Sequence, residues 1–337
     1  MADRLEHVES FRRLVPPAAA GDRAAATELL GALIDRSHDR QAAALAALHA
    51  VSSQEFWRQV VEFLATGRWQ GGRLALPLSS ELWRQKLRQH LHVLLTLHHD
   101  PVSDAAREAA LTESLRHKSA WVRTYAADLL GDRRATAAIG ALIGALDDRA
   151  PAVRMHAARA LGRLGDPAAI EPLVRCLNHR NDALARAAVE ALAQLGAPTT
   201  AALVEACRSP DEWVRWHAAR ALGYLRDPRA AEALAELLGD DDPTVRWVAV
   251  QALQRHGTAA LEPVVRSLVM RPMTPGLADA AGHLLRQVRE PRLAAILRPL
   301  GEHLRDSYAA VSVPLLAEQI LPRLREQPAA SATPTPG

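Results

Sequence analysis

The sequence predicts an all-α fold, a right-handed α-solenoid of stacked helix hairpins, and three observations predict it. The pattern V-R-x-x-A-x-x-x-x-L occurs at Val122-Arg123, Val153-Arg154, Val214-Arg215 and Val245-Arg246, with degenerate copies at Leu184-Ala185 and Leu277-Ala278. Successive copies lie 31, 31, 30, 31 and 32 residues apart, which is the signature of an array whose units stack on one another. A residue able to cap a helix (Ser119, Asn181, Asp211, Asp242 or Thr274) stands four places before the arginine position in five of the copies.

Taken along the chain, residues 1–100 read as an irregular N-terminal helical cap. Apolar residues at helical spacing mark Ala24 to Ile34, Asp39 to Ala50, Gln54 to Leu64 and Glu81 to His98, with Val102 to Leu115 leading into the array. A loop over residues 65–80, with Gly67, Gly71, Gly72 and Pro77, separates cap from array. The array itself spans residues 101–304, with units starting near 119, 150, 181, 211, 242 and 274. In each unit the first helix starts at the cap, with Pro151, Pro243 or Pro275 at the first helical position in three units, where the missing N–H costs nothing. That helix ends near Leu-Gly-Asp-Pro, as in Leu164-Gly165-Asp166-Pro167, or a variant such as Leu225-Arg226-Asp227-Pro228. A second apolar-periodic segment follows, for instance Ile170, Leu173 and Leu177. Residues 305–326 are expected to form a C-terminal capping helix, kinked or split around Pro314, and the Pro/Ala/Thr-rich residues 327–337 a disordered tail.

Arg154 to Pro167 (R-M-H-A-A-R-A-L-G-R-L-G-D-P) and Arg215 to Pro228 (R-W-H-A-A-R-A-L-G-Y-L-R-D-P) resemble the HEAT-like repeats first described in phycobilisome bilin lyases. The resemblance covers about Ser119 to Leu304, somewhat over half of the chain. It implies the fold more than the function, because scaffolds, lyase subunits and enzymes share it. It also implies that the helix carrying V-R-x-x-A-A-x-A-L lines a concave surface whose variable positions bind.

A helical wheel locates the arc that stacking leaves out of the core. With the arginine position as zero, the small and aliphatic offsets −1, +3, +4, +6, +7 and +10 fall between about −120° and +40°, whereas −2, +1, +2, +5 and +9 fall between about 100° and 200°. Aromatic side chains bury the most area and usually go to cores, yet Trp121, Tyr125, Trp213, Trp216, Tyr224 and Trp247 all occupy the second arc. On the resemblance, the expected partner-binding groove holds Trp121, Tyr125, Met155, His156, Arg159, Arg163 and Arg186, continuing through Trp213, Trp216, His217, Arg220, Tyr224, Trp247, Gln251 and Arg255. Glu190 and Gln194 lie on the same arc. Trp216 and Trp247, at its edge, have the alternative of wedging between neighbouring repeats. From Met155 to Arg255 five arginines face one glutamate, which predicts a basic strip and a ligand bearing carboxylates or phosphates. The offset-zero arginines, Arg123, Arg154, Arg215 and Arg246, lie on the packed side and are expected to form a structural ladder with carboxylates or helix-end carbonyls of adjacent units.

Of the 337 residues 49% are apolar, and 41 basic against 38 acidic residues leave a formal charge of only +3, too little for long-range steering toward a polyanion. Only Lys86 and Lys118 are lysines, so lysine patches are lacking, and with the small net charge this makes nucleic acid a disfavoured partner. No uncharged run approaches the ~20 residues that span a bilayer, and the expected location is cytoplasmic. Cys176 and Cys207 make neither a disulfide framework nor a zinc site. His156 and His217 sit at the same offset two repeats apart, about 20 Å if helices stack at ~10 Å, too far to share a metal. The iron enzymes of the wider family use His-Glu pairs, but alanine follows both histidines here. His90, His92, His98 and His99 lack partners at ligand spacing except Asp100. No phosphate loop, G-x-S-x-G elbow, H-E-x-x-H or Cys/His nucleophile pattern occurs. The expectation is a non-enzymatic protein-binding scaffold or adaptor without metal or cofactor, gripping an acidic or extended segment. A bilin-lyase-like chromophore-handling subunit and a nucleic-acid-binding protein are the alternatives.

Overall fold

Stacked helix hairpins make up the repeats, so the fold is an all-α solenoid. The computed structural model describes residues 2–33, 38–49, 51–66, 68–70, 74, 101–178 and 183–325. Asn181, the helix expected over Glu81 to His98, the histidines from His90 to His99 and the tail 327–337 lie outside them. The chain divides into two compact units, Met1–Pro172 and Leu173–Gly337.

The first unit opens with α1 (Ala2–Ala19), α2 (Arg23–Ala32), α3 (His38–His49) and α4 (Gln54–Thr66). Helix α1, which contains Pro16 and Pro17, is not among the expected elements. Both prolines sit in its last turn, where they remove only two intrahelical bonds, and its buried Phe11 and Val15 hold it against its neighbours. Asp22 caps α2 by accepting the N–H groups of Ala24 and Ala25 at 2.8 and 3.3 Å. The expected separating loop over 65–80 is tied into this core at Trp69. Its fully buried indole donates Nε1–H to the carbonyl of Ala18 at 3.1 Å and lies against Phe56 and Phe63. Next come α5 (Pro101–Ser114), α6 (Ala120–Asp132), α7 (Ile139–Ala145), α8 (Pro151–Leu164) and α9 (Ile170–Arg175). On α5, Arg107 is fully buried with its guanidinium 4.5 Å from the Trp57 ring centroid.

The second unit continues with α10 (Ala183–Leu195), α11 (Thr200–Ala206), α12 (Glu212–Leu225), α13 (Ala231–Glu236), α14 (Pro243–His256), α15 (Leu261–Met270), α16 (Pro275–Leu285), α17 (Pro291–His303) and α18 (Ala309–Arg325). The first helices α10, α12, α14 and α16 lie side by side, and α18 packs on α15 and α17. Contrary to expectation, α18 runs unbroken through Pro314. The proline stands only six residues into the helix, so the lost bond is the single one to Ala310.

Local chemistry sets the hairpin geometry. Asp211 and Asp242 each accept two N–H groups at the starts of α12 and α14, and Thr274 accepts that of Leu277 on α16. Ser119 stands at the corresponding place before α6 but makes no side-chain cap bond. Eleven residues after each arginine position the backbone takes positive φ: Arg134 54°, Gly165 75°, Gly196 75°, Arg226 53° and Gly257 64°. Glycine is suited to that turn, and arginine tolerates it at a cost. Asp166 and Asp227 then accept the N–H groups of Ala168 and Arg229, opening a short 3-10 turn with proline in its first position.

The arginine positions are knitted across hairpins. Arg123 makes two bonds of 2.7 Å to the Asp148 carboxylate and donates to the carbonyls of His117 and Lys118 at 2.8 and 3.2 Å. The backbone carbonyl of that same Asp148 receives Arg154 at 3.0 Å. The second unit repeats the device. Arg215 holds Asp240 at 2.7 and 2.9 Å, and the carbonyl of Asp240 receives Arg246 at 2.7 Å. Each aspartate thus joins the arginines of two successive repeats, and the planar guanidinium suits both kinds of acceptor.

Candidate functional site

The first helices approach closely where glycine and alanine meet. A Cβ on Gly131 would lie 2.8 Å from the Cα of Ala160, and one on Gly223 2.9 Å from the Cβ of Ala252. Small residues at these two contacts let the first helices pack closely.

In the first unit the face of the second arc is charge-compensated. His156 Nδ1 meets Asp128 Oδ2 at 2.6 Å, and Arg163 reaches Asp128 Oδ1 at 3.1 Å and Asp132 at 3.4 Å. The expected basic strip fails here. Asp128 and Asp132 occupy offsets +5 and +9 of the first copy, the same offsets as Arg159 and Arg163 one repeat later, and the charge count from Met155 onward omitted them. Tyr125 and Met155 are half-buried and Arg159 is exposed. The side chain of Trp121 is outside the described ones.

In the second unit the face differs. Arg186, Glu190 and Gln194 on α10 are exposed. On α12, Trp216, Arg220 and Tyr224 follow one another at single-turn spacing. The Arg220 guanidinium lies 5.3 Å from the Trp216 ring centroid and 6.0 Å from that of Tyr224, and its Nε donates to the Tyr224 hydroxyl at 3.4 Å. Arg255 of α14 stacks on the Tyr224 ring at 4.7 Å. Tyr224 is 44% exposed and Trp247 53%. Gln251 and Arg255 are exposed beside them. The bond from Arg220 holds the Tyr224 phenol below its usual pKa, outweighing the partial burial that raises it.

His217 is a correction: it is buried at 2% exposure and does not line the face. Offset +2 lies on the flank of the wheel, where side chains turn toward the neighbouring helix. The Trp216 ring, edge-on at 4.8 Å between centroids, helps to cover it. His156, at the same offset, likewise turns sideways to Asp128. Trp213 is half-buried, with its indole nitrogen enclosed and without a hydrogen-bond partner. Trp247 is 53% exposed and also touches His283 of α16, with ring centroids 5.8 Å apart. Sequence reasoning missed Asp128, Asp132 and His283, although the offset rule that found Arg220 and Arg163 would have found the two aspartates.

Among the described residues no group of three His, Cys, Asp or Glu side chains is placed to hold a metal. Cys176 and Cys207 are buried, and burial pushes the Cys207 thiol up to about 12, which leaves no thiolate near neutrality. No single described helix is long and apolar enough to cross a membrane.

Residues 108–193, 175–254 and 200–272 match the family model of HEAT repeats. A comparison with curated proteins finds no match. Among solved structures, the chain is similar to YibA of Escherichia coli (20% identity, 77% of this chain and 92% of that one, TM-score 0.38). It is also similar to the complex of CpcE and CpcF of phycocyanin lyase from Nostoc sp. (25% identity, 67% and 91%, TM-score 0.33). A third similar structure is Kap95p bound to RanGDP (11% identity, 95% and 48%, TM-score 0.48).

Proposed function

We propose that this chain, which carries HEAT repeats over residues 108–272, is a non-enzymatic scaffold or adaptor that grips an acidic or extended segment of a partner protein on the face of α12 and α14. The observation that carries the proposal is the placement of the aromatic residues. Alanine and leucine fill the repeat cores, as at Ala218, Ala219, Leu222, Ala249 and Leu253, while Trp247 and Tyr224 face solvent. Tryptophan, tyrosine and arginine are the residue types that dominate interface hot spots.

The stacking arrangement bears on the alternatives. Arg220 lies against both Trp216 and Tyr224, and Arg255 against Tyr224, so guanidinium groups already occupy ring faces that a nucleobase or a tetrapyrrole would need. The guanidinium charges themselves favour a carboxylate-bearing segment. Cross-linking in the native host, followed by mass spectrometry, tests the proposal. The wild-type chain is expected to yield a protein adduct that Trp216→Ala with Arg220→Glu abolishes, and an undiminished adduct would remove this face as the site.

A further inference from the structure

The contrast between the two faces narrows the ligand further. Arg163 in the first unit is committed to Asp128 and Asp132, and Arg215 in the second to Asp240. Arg220 and Arg255 have only aromatic neighbours and the Tyr224 hydroxyl, and neither pairs with a carboxylate among the described residues. Stacking on Tyr224 from two successive repeats limits the rotamer freedom of both guanidiniums before any ligand arrives, so less entropy is lost on binding. The Tyr224 hydroxyl accepts from Arg220, which leaves its own proton to donate. Two guanidiniums and the hydroxyl proton thus gather about the Tyr224 ring, with no carboxylate among the described residues to accept from them.

We propose that Arg220, Arg255 and the Tyr224 hydroxyl form a seat for a single carboxylate of an acidic peptide, with the adjoining apolar residue of that peptide resting on Trp247. This rests on the reading of the α12–α14 face as the binding surface. A carboxylate accepts from the forked edges of two guanidiniums and a hydroxyl at once. The exposed indole of Trp247, on the same helix as Arg255 and two turns before it, supplies the apolar neighbour. The pairing makes Arg220 and Arg255 the specificity-determining residues: the acidic position of the peptide is read by both together.

A phage-displayed library of random dodecapeptides tests the seat. Selection on the full chain is expected to enrich sequences with Asp or Glu beside Leu, Ile, Phe or Met. For a winning peptide, replacing that acid by its amide should weaken binding at least ten-fold. The Arg220→Ala/Arg255→Ala chain should bind about ten-fold more weakly too, with no further loss on amidating the peptide. Tyr224→Phe, which keeps the ring and the stack, should lose a few-fold. Enriched peptides without an acidic position, or amidation effects that persist in the double variant, would overturn the seat while leaving the face as a peptide-binding surface. A phosphoserine at the acidic position binding a hundred-fold tighter than glutamate would overturn the carboxylate assignment. A library that enriches nothing would overturn the binding-surface reading itself.

Discussion

At the scale of single residues, the same amino acid does opposite work depending on its offset. Arg123 and Arg215 are structural: each makes a two-pronged bond to an aspartate of the following hairpin and closes the turn at its own helix start. Arg220 and Arg255 instead stand against aromatic rings, with no carboxylate partner among the described residues. The Arg123 hydrogen bond holds the Asp148 carboxyl below its ordinary range, against the desolvation that raises it. Because the folded-state value is depressed, the pair contributes stability that is present above about pH 4 and is lost as pH falls through the folded value. Urea unfolding between pH 3 and 6 is expected to show wild-type stability falling toward the acid end, with Asp148→Asn flattening that dependence. Arg226 is the opposite case, an arginine at positive φ where three other repeats have glycine. Arg226→Gly should stabilise by about 1 kcal/mol, read as a shift in the urea midpoint, because a left-handed backbone strains any residue with a Cβ. The offset rule made the surface arginines and exposed tryptophans legible in the sequence. It could not show that His217 turns under Trp216, nor that Arg107 lies buried against Trp57, since nothing in the local pattern around Arg107 marks it.

Elements were legible where chemistry repeats. The capping residues, and in some units the proline starts and glycine turns, fall in one register with a period of 30 to 32 residues, so helix boundaries in the array follow from them. Before the array no such register exists, and α1 is not marked by any recurring cap or turn. The loop holding Trp69 looked like a spacer because glycines surround it, whereas the indole belongs to the N-terminal core. Between elements, the contact of α12 with α14 depends on Gly223. Gly223→Val would drive its side chain into Ala252 and should cost about 1–3 kcal/mol, checked by chemical denaturation. The same displacement would separate Tyr224 from Arg255. Leu222→Ala, in the core of the same helix, should cost about 2–5 kcal/mol, whereas Trp247→Ala, more than half exposed, should stay within about 0.5 kcal/mol of wild type.

Across the whole molecule, the scarcity of aromatic residues has two explanations, one for each kind of structure. Phe56, Trp57, Phe63 and Trp69 build the irregular N-terminal core, which has no repeat to borrow a neighbour from. In the repeats stacking supplies the core, and small residues suffice for it. The near-balanced charge likewise resolves into differently composed surfaces: aspartates pair with His156 and Arg163 in the first unit, and in the second Arg220 and Arg255 stand against Tyr224 with no carboxylate partner among the described residues. The central claim is that this second-unit face exists for a partner and contributes little to folding. The most direct test is the affinity of the cross-linked partner, once purified, for the Arg220→Glu/Trp247→Ala chain, measured by calorimetry beside its urea unfolding curve. The account predicts a loss of about 100-fold in affinity with an unchanged unfolding midpoint. Unaltered affinity, or a loss that merely follows a collapse in stability, would contradict it.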